Sequence, residues 1–421
     1  MKIPSIVAPG SYEKAIVAAS YGAEEVYIGV PFTSLRMRQN KVRDFDFLKK
    51  SIQQIHSYGA KALLTMNIFP RNIDIKIFES VVEKIKDSGA DAIIFSDLTF
   101  NIIKKHLPNM PLHLSTQTTT LNYAAVQFWA DLGVKRIVCA RELHIDEIKE
   151  IKQKVPNMEL EVFVHGAMCM TYSGRCLLGE YCSGRDGNKG ECSHVCRYKY
   201  KVWLEEEKRP KFFQLEDESG SYIMSSKDMC TIHRLQEIIP YVDALKIERS
   251  KSELYAGAMV KAYKHARDAI LSGQTPNAEI IDLVNQVPHR PYRDGFLLKK
   301  MREEIPDGEP GEEQVPEDGH ESISLDSAGP LFARNYFGLI TDETVEHDEK
   351  IYHAFVPKEV IEPGQELHFL SKDSLKIKIL DIISAGKQLD KAHCNLKKVF
   401  IYTDQVLGGR EVLYRPISSE K

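Results

Sequence analysis

Five of the chain's eight cysteines fall between Val162 and Tyr200, in VFVHGAMCMTYSGRCLLGEYCSGRDGNKGECSHVCRYKY, and a sixth follows at Cys230 in SSKDMC. Thiols crowded in this way admit cross-linking, metal ligation or nucleophilic catalysis. Cross-linking is the weakest of the three. A chain of 421 residues, 43% hydrophobic and 28% charged, buries a core without covalent staples. The opening MKIPSIVAPGSYEKAIVAAS lacks an apolar run followed by a cleavage site, and no apolar run approaches the ~20 residues that span a bilayer. The expectation is a soluble cytoplasmic protein, and in that reducing compartment clustered cysteines mark metal binding or catalysis. A net charge of −4 argues against a histone-like nucleic-acid binder but leaves room for local basic patches.

Cys169, Cys176, Cys192 and Cys230 are separated by six, fifteen and thirty-seven residues. Four thiolates suit an iron–sulfur cluster or structural zinc, and the irregular gaps fit a cluster better than the paired knuckles of zinc sites. Cys192-Ser-His-Val-Cys196 is the nearest approach to a knuckle, so a zinc reading with His194 or Cys182 as further ligands stands beside it. Lys199 occupies the place where a third cysteine would stand, so the C-x₃-C-x₂-C loop of radical S-adenosylmethionine enzymes is absent. Cys139 and Cys394 read as small packed hydrophobes. Cys182 and Cys196 read as packed thiols or neighbours of the ligands, with Cys196 the reserve ligand. H-E-x-x-H and G-x-S-x-G are both absent. His165 precedes Cys169 by four and could be drawn as a peptidase dyad, but a thiolate on iron cannot also be the nucleophile.

The elements that must position these groups alternate. Candidate strands at 5–9, 24–29, 61–67, 91–97, 112–117, 136–141, 160–166 and 243–248 are separated by amphipathic segments such as SYEKAIVAASYG and DFLKKSIQQIHSYG, each closing on a glycine. Eight β/α units predict an α/β fold, a TIM-type (β/α)8 barrel over residues 1–300, with a doubly wound sheet as the alternative. APGSYEK after the first strand lacks G-x-G-x-x-G, which argues against a dinucleotide site. The spacing breaks between strands seven and eight, placing a cysteine-rich insertion at 167–235 over the barrel mouth. Within a linker at 301–330, residues 303–326 carry ten acids and no Lys or Arg. Residues 331–418 then alternate apolar and polar in six short runs, predicting a small, separate antiparallel β-barrel.

The runs E-V-F-V-H-G-A-M-C, Y-S-G-R-C, C-S-H-V-C-R and S-S-K-D-M-C, with YIGVPFTSLRMRQN and HRPYRDGFL, resemble the signature of the U-32 peptidases, also called collagenase-like proteases. The resemblance covers nearly the whole chain. Several members of that family are oxygen-independent hydroxylases carrying a [4Fe–4S] cluster; they act on ubiquinone precursors, ribosomal RNA or the wobble uridine of tRNA. The last type makes 5-hydroxyuridine, depends on prephenate, and has this length and an appended C-terminal domain. The resemblance places the cluster on Cys169, Cys176, Cys192 and Cys230. It implies the tRNA anticodon stem-loop and a small cosubstrate as partners, no membrane, and assembly with a second copy or a related family member. The alternatives are a peptidase, a hydroxylase of a quinone-like substrate, and a non-enzymatic cluster protein.

Strand ends supply the remaining groups, because a barrel displays polar side chains there. Asn67, Asp97, Gln117, Arg141, Glu142, His165 and Glu248 fall at or just past the ends of strands three to eight. His165, Asp97 and Glu142 are the expected proton-transfer groups, and Gln117, Arg141 and Glu248 the expected substrate contacts. Loop caps and ion pairs are the ordinary alternative for each. Arg36 and Arg38 could grip a dicarboxylate or an RNA phosphate, or form a solvated pair. RYKYKVW (197–203) and HRPYRDGFLLKKMR (289–302) interleave cations with aromatics, as phosphate contact beside base stacking requires, although solvated faces would look the same.

Overall fold

The computed structural model describes residues 3–35, 44–198, 225–248, 252–298, 334–371, 375–405, 407 and 410–416. Arg36, Arg38, the acidic linker and residues 199–203 and 299–302 of the two basic clusters lie outside the described residues.

Strands β1 (Ser5–Gly10), β2 (Glu25–Gly29), β3 (Lys61–Met66), β4 (Ala92–Phe95), β5 (Leu112–Leu114), β6 (Arg136–Val138) and β7 (Glu159–Ala167) pair in parallel, each with the next. After β8 (Asp228–Cys230), strand β9 (Ala244–Ile247) pairs in parallel with both β7 and β1, which closes the barrel. All eight strands read from the sequence are present. Both faces of each strand are covered, so the strands read as continuous apolar runs. Ile6, Ala8, Val26, Ile28 and Leu64 pack outward into the main core, whereas Val7, Tyr27, Leu63, Ala92, Ile94 and Ala244 form a smaller cluster inside.

Helices α1 (Tyr12–Ser20), α2 (Phe45–Ser57), α3 (Ile75–Lys84), α4 (Phe100–His106), α5 (Tyr123–Asp131) and α6 (Ile145–Lys154) cover the outside. In α2 the apolar face is Leu48, Ile52 and Ile55, the Asp44 side chain accepts from Phe47 N, and Gly59 follows at φ 78°. Spacing, cap and stop thus all sit in the sequence. Between β7 and β9 the described residues of the insertion form one α-helix, α7 (Leu178–Ser183), and return through β8, which runs antiparallel to β7 with His165 opposite Cys230 and Gly166 opposite Met229. Helix α8 (Glu253–Leu271) completes the ring, α9 (Ala278–Ile281) follows, and the short β10 (Tyr292–Arg293) adds to β8.

The C-terminal strands are β11 (Arg334–His347), β12 (Lys350–Pro357), β13 (Glu366–Phe369), β14 (Lys376–Ser384), β15 (Lys387–Gln388), β16 (Val399–Thr403) and β17 (Glu411–Pro416). All are antiparallel, and pairing of β13 with both β17 and β14 closes them. This domain has its own core, yet Leu339, Leu370, Val412 and Tyr414 belong to the core of the large barrel. Leu370 presses on Gly257 of α8, Lys261 donates to Leu370 O at 2.8 Å, and Arg410 pairs with Glu13 of α1 at 2.8 Å. The domain is docked on α1 and α8, a contact that the composition of the linker did not suggest. No helix among the described residues is long and apolar enough to cross a membrane.

Candidate active site at the barrel mouth

The lower half of the barrel is sealed by charge. Arg136, at the start of β6, places Nη1 2.6 Å and Nη2 2.9 Å from the two oxygens of Glu25, and reaches Glu159 at 2.9 Å and Glu161 at 3.1 Å. Lys246 donates to Glu161 at 2.5 Å and lies over the Tyr27 ring. Burial alone would raise the Glu161 carboxyl, but Lys246 and then Arg136 bring it down to about 2. Burial, and then Arg136, lowers His113 to about 4, so it sits here neutral. Glu25, His113 and Glu161 approach one another as metal ligands would, but Arg136 already bridges the two carboxylates and Lys246 pairs with the other oxygen of Glu161. This is a closed ion network at the strand starts, the end of a barrel that serves stability.

Above it lies a cavity of about 200 Å³. Tyr27, Ile94, Val138, Phe163 and Lys246 line it, together with Asn67, Gln117, Arg141 and Glu248 from the strand ends. The cysteine insertion supplies the rest through Cys169, Cys176, Cys192 and Cys196. Close backbone contacts seat the insertion. Ser173 N donates to Glu142 at 2.8 Å, Ser173 O accepts from Thr119, and the Ser173 hydroxyl accepts from Arg141 N at 3.3 Å. A Cβ on Gly190 would come within 2.7 Å of Ser34 O. Asn188 holds Cys176 by its carbonyl at 2.7 Å, while its own carbonyl accepts from Phe69 N at 2.9 Å.

The predicted residues divide. Cys169, Cys176 and Cys192 line the cavity beside Cys196, whose thiol is pushed up by burial, drawn back by Arg197 and pushed further by Cys169, Cys192 and Cys176. Cys230 does not line it: its Sγ is 3.7 Å from Tyr263 Oη, and burial pushes its thiol up. Gln117, Arg141, Glu248 and Asn67 all face the cavity. The Asn67 amide is engaged with Ser115 Oγ at 3.1 Å and Leu35 N at 3.3 Å. Glu142 clamps the insertion, and Asp97 meets Thr118 at 3.3 Å outside the cavity lining. His165 lies behind the wall in a box of Tyr255, Tyr263 and Tyr292, 1% exposed, with Nδ1 3.3 Å from Tyr263 Oη and Nε2 3.5 Å from Tyr292 Oη. Cys139 is buried as a packing residue, and burial lifts its thiol to about 12. Cys182 and Cys394 are exposed.

The strand-end reading of the sequence does not mark Lys246, Phe163 and Tyr27 as cavity walls. His194, a possible further ligand on the zinc reading, places Nδ1 3.7 Å from Cys192 Sγ. Period-two alternation from Glu161 would have placed Phe163 inward. Nothing local marks Ser173.

The family model described as peptidase family U32 matches residues 10–306. The chain is 34% identical over 351 residues to tRNA hydroxylation protein P of Escherichia coli, covering 73% of this chain and 77% of that one. It is 36% identical over 302 residues to tRNA hydroxylation protein P of Helicobacter pylori, with 70% and 72% covered. A protein of Porphyromonas gingivalis named collagenase is 31% identical over 311 residues, with 70% and 73% covered. A match that runs from the end of β1 through β10, with the cysteine insertion included, shows that the chain belongs to peptidase family U32.

Proposed function

We propose that this protein is an RNA hydroxylase that acts on tRNA without dioxygen, converting the wobble uridine to 5-hydroxyuridine with prephenate required. The observation that carries the reading is a set of thiols closing the mouth of a barrel cavity, in a chain whose relatives are named for tRNA hydroxylation. Cys169, Cys176, Cys192 and Cys230 would hold a [4Fe–4S] cluster, with Cys196 in reserve. Three of these thiols line the same cavity, beside Cys196. When bound, the cluster supplies redox or Lewis-acid chemistry beside the substrate.

The chain's own residues do the rest. Gln117 and Arg141 orient the bound molecule from the strand ends, and the exposed Met170 and Tyr172 form a lip on which a base can stack. Among the described residues Glu248 is the carboxylate that lines the cavity, so it replaces the enclosed His165 as the group placed to take a proton. The Cys192–His194 contact at 3.7 Å favours a second reading, a cysteine peptidase. Nucleoside mass spectrometry of tRNA from cells with and without the gene separates the two. Loss of 5-hydroxyuridine or its derivatives is expected on deletion. Unchanged tRNA together with lost peptide cleavage would establish the peptidase.

A further inference from the structure

Three deeply buried arginines show how this fold satisfies a guanidinium. Arg136 is matched by three glutamates. Arg267 bonds Pro4 O, Glu24 and Asp268 at 2.7 to 2.8 Å, and Arg410 bonds Glu13 at 2.8 Å and Asp342 at 3.0 Å. Arg141 is treated differently. Its side chain is 8% exposed, its Nε–H is buried without an acceptor among the described residues, and its ion pair is a 3.5 Å approach of Nη2 to Glu248. That distance is long for a charge-assisted bond. A buried donor left open is costly, and the cost is tolerated where a ligand completes the site.

The open group is also held still. The guanidinium carbon lies 4.5 Å from the centre of the Phe163 ring, and the backbone N of Arg141 is tied to Ser173 Oγ. Lys246, the other cation near that ring, is already matched by Glu161. We propose that Arg141 anchors an anion-binding subsite in this cavity, taking a two-oxygen group, carboxylate or phosphate, on its Nε–H and Nη–H edge. The neighbouring walls, Tyr27, Ile94, Val138 and Phe163, favour a carboxylate carried on a compact apolar body. A backbone phosphate of RNA presents the same chemistry. The subsite rests on the proposed function only for the identity of its natural occupant, and it assigns to Arg141 the role that the sequence offered to Arg36 and Arg38.

The test is calorimetric titration of the full-length protein, purified without oxygen, with benzoate and with inorganic phosphate. Arg141→Gln should weaken the bound anion roughly tenfold to a hundredfold, as loss of a charged hydrogen bond does. Arg141→Lys, which keeps the charge and loses the fork, should recover only part of the affinity. Glu248→Gln should tighten binding, because the competing carboxylate is gone; a merely structural Arg141 would give no such gain, and this variant keeps the test alive if Arg141→Gln does not fold. Benzoate preferred over phosphate identifies a carboxylate ligand, and the reverse identifies a phosphate. Absence of binding by either probe, or binding indifferent to both Arg141→Gln and Glu248→Gln, overturns the subsite. These titrations contain no tRNA, so failure of the hydroxylation reading would leave their result standing.

Discussion

Gly174 of the cysteine insertion lies so close to the backbone carbonyl of Gln117 that any Cβ there would collide with it. Its φ of 74° is also one that side-chain-bearing residues rarely adopt. The two residues join the thiol-bearing lid to the strand ends that face the cavity.

Gly174→Ala should therefore lift the lid and leave the barrel. Forcing alanine into that conformation costs about 1–2 kcal/mol before the collision is relieved. Thermal unfolding should show a loss of a few degrees with the far-UV circular dichroism unchanged, and bound iron should fall. Full iron content in the variant would mean that the seat is not required.

His165 is neutral in the fold, since burial and then the nearby His289 lower it from 6.5 to about 3. Between those values the unfolded chain binds the extra proton, so stability present above pH 6.5 is lost as pH falls toward 3. His113, lowered to about 4, adds to the same slope. Melting temperatures measured from pH 7 to pH 4 should fall steeply in the wild type and less steeply in His165→Phe, which keeps a ring among the three tyrosines. An unchanged slope would place the origin elsewhere.

His165 also shows where the sequence stops being legible. The eight strands and the six longer runs of the C-terminal barrel could be read because alternation and continuous apolar runs are local. His165 lies at the strand end where the sequence places it, but it does not face the cavity. A register shift in β7 between Phe163 and His165, followed by Gly166 at φ 108°, turns the imidazole out toward α8. A bulge of this kind depends on the two partner strands together. The Ser173 clamp and the docking of Leu370 on Gly257 likewise join residues far apart in the chain, which no local pattern announces.

Leu370 is fully buried against α8, so Leu370→Asp should undock the C-terminal barrel. Burying an unpaired carboxylate or exposing that face costs about 2–5 kcal/mol. A lower melting temperature and faster proteolysis are expected, with weaker tRNA binding if this domain helps to hold the nucleic acid. Unchanged melting would show that the contact carries no stability.

Protein prepared without oxygen should be brown, with about four irons per chain on the cluster reading. Alanine at Cys169, Cys176 or Cys192 should remove the colour, and alanine at the exposed Cys394 should keep it. Cys230→Ala and Cys196→Ala, compared by iron analysis, decide between the family-implied fourth ligand and the thiol that lines the cavity. A colourless, zinc-loaded preparation would contradict the cluster.

If thiols over the barrel mouth serve tRNA hydroxylation, complementation of a gene deletion, read by nucleoside mass spectrometry of bulk tRNA, will depend on them. The wild-type gene should restore 5-hydroxyuridine or its derivatives, and Cys176→Ala, expressed at equal level and folded, should not. Full restoration by Cys176→Ala would contradict the account.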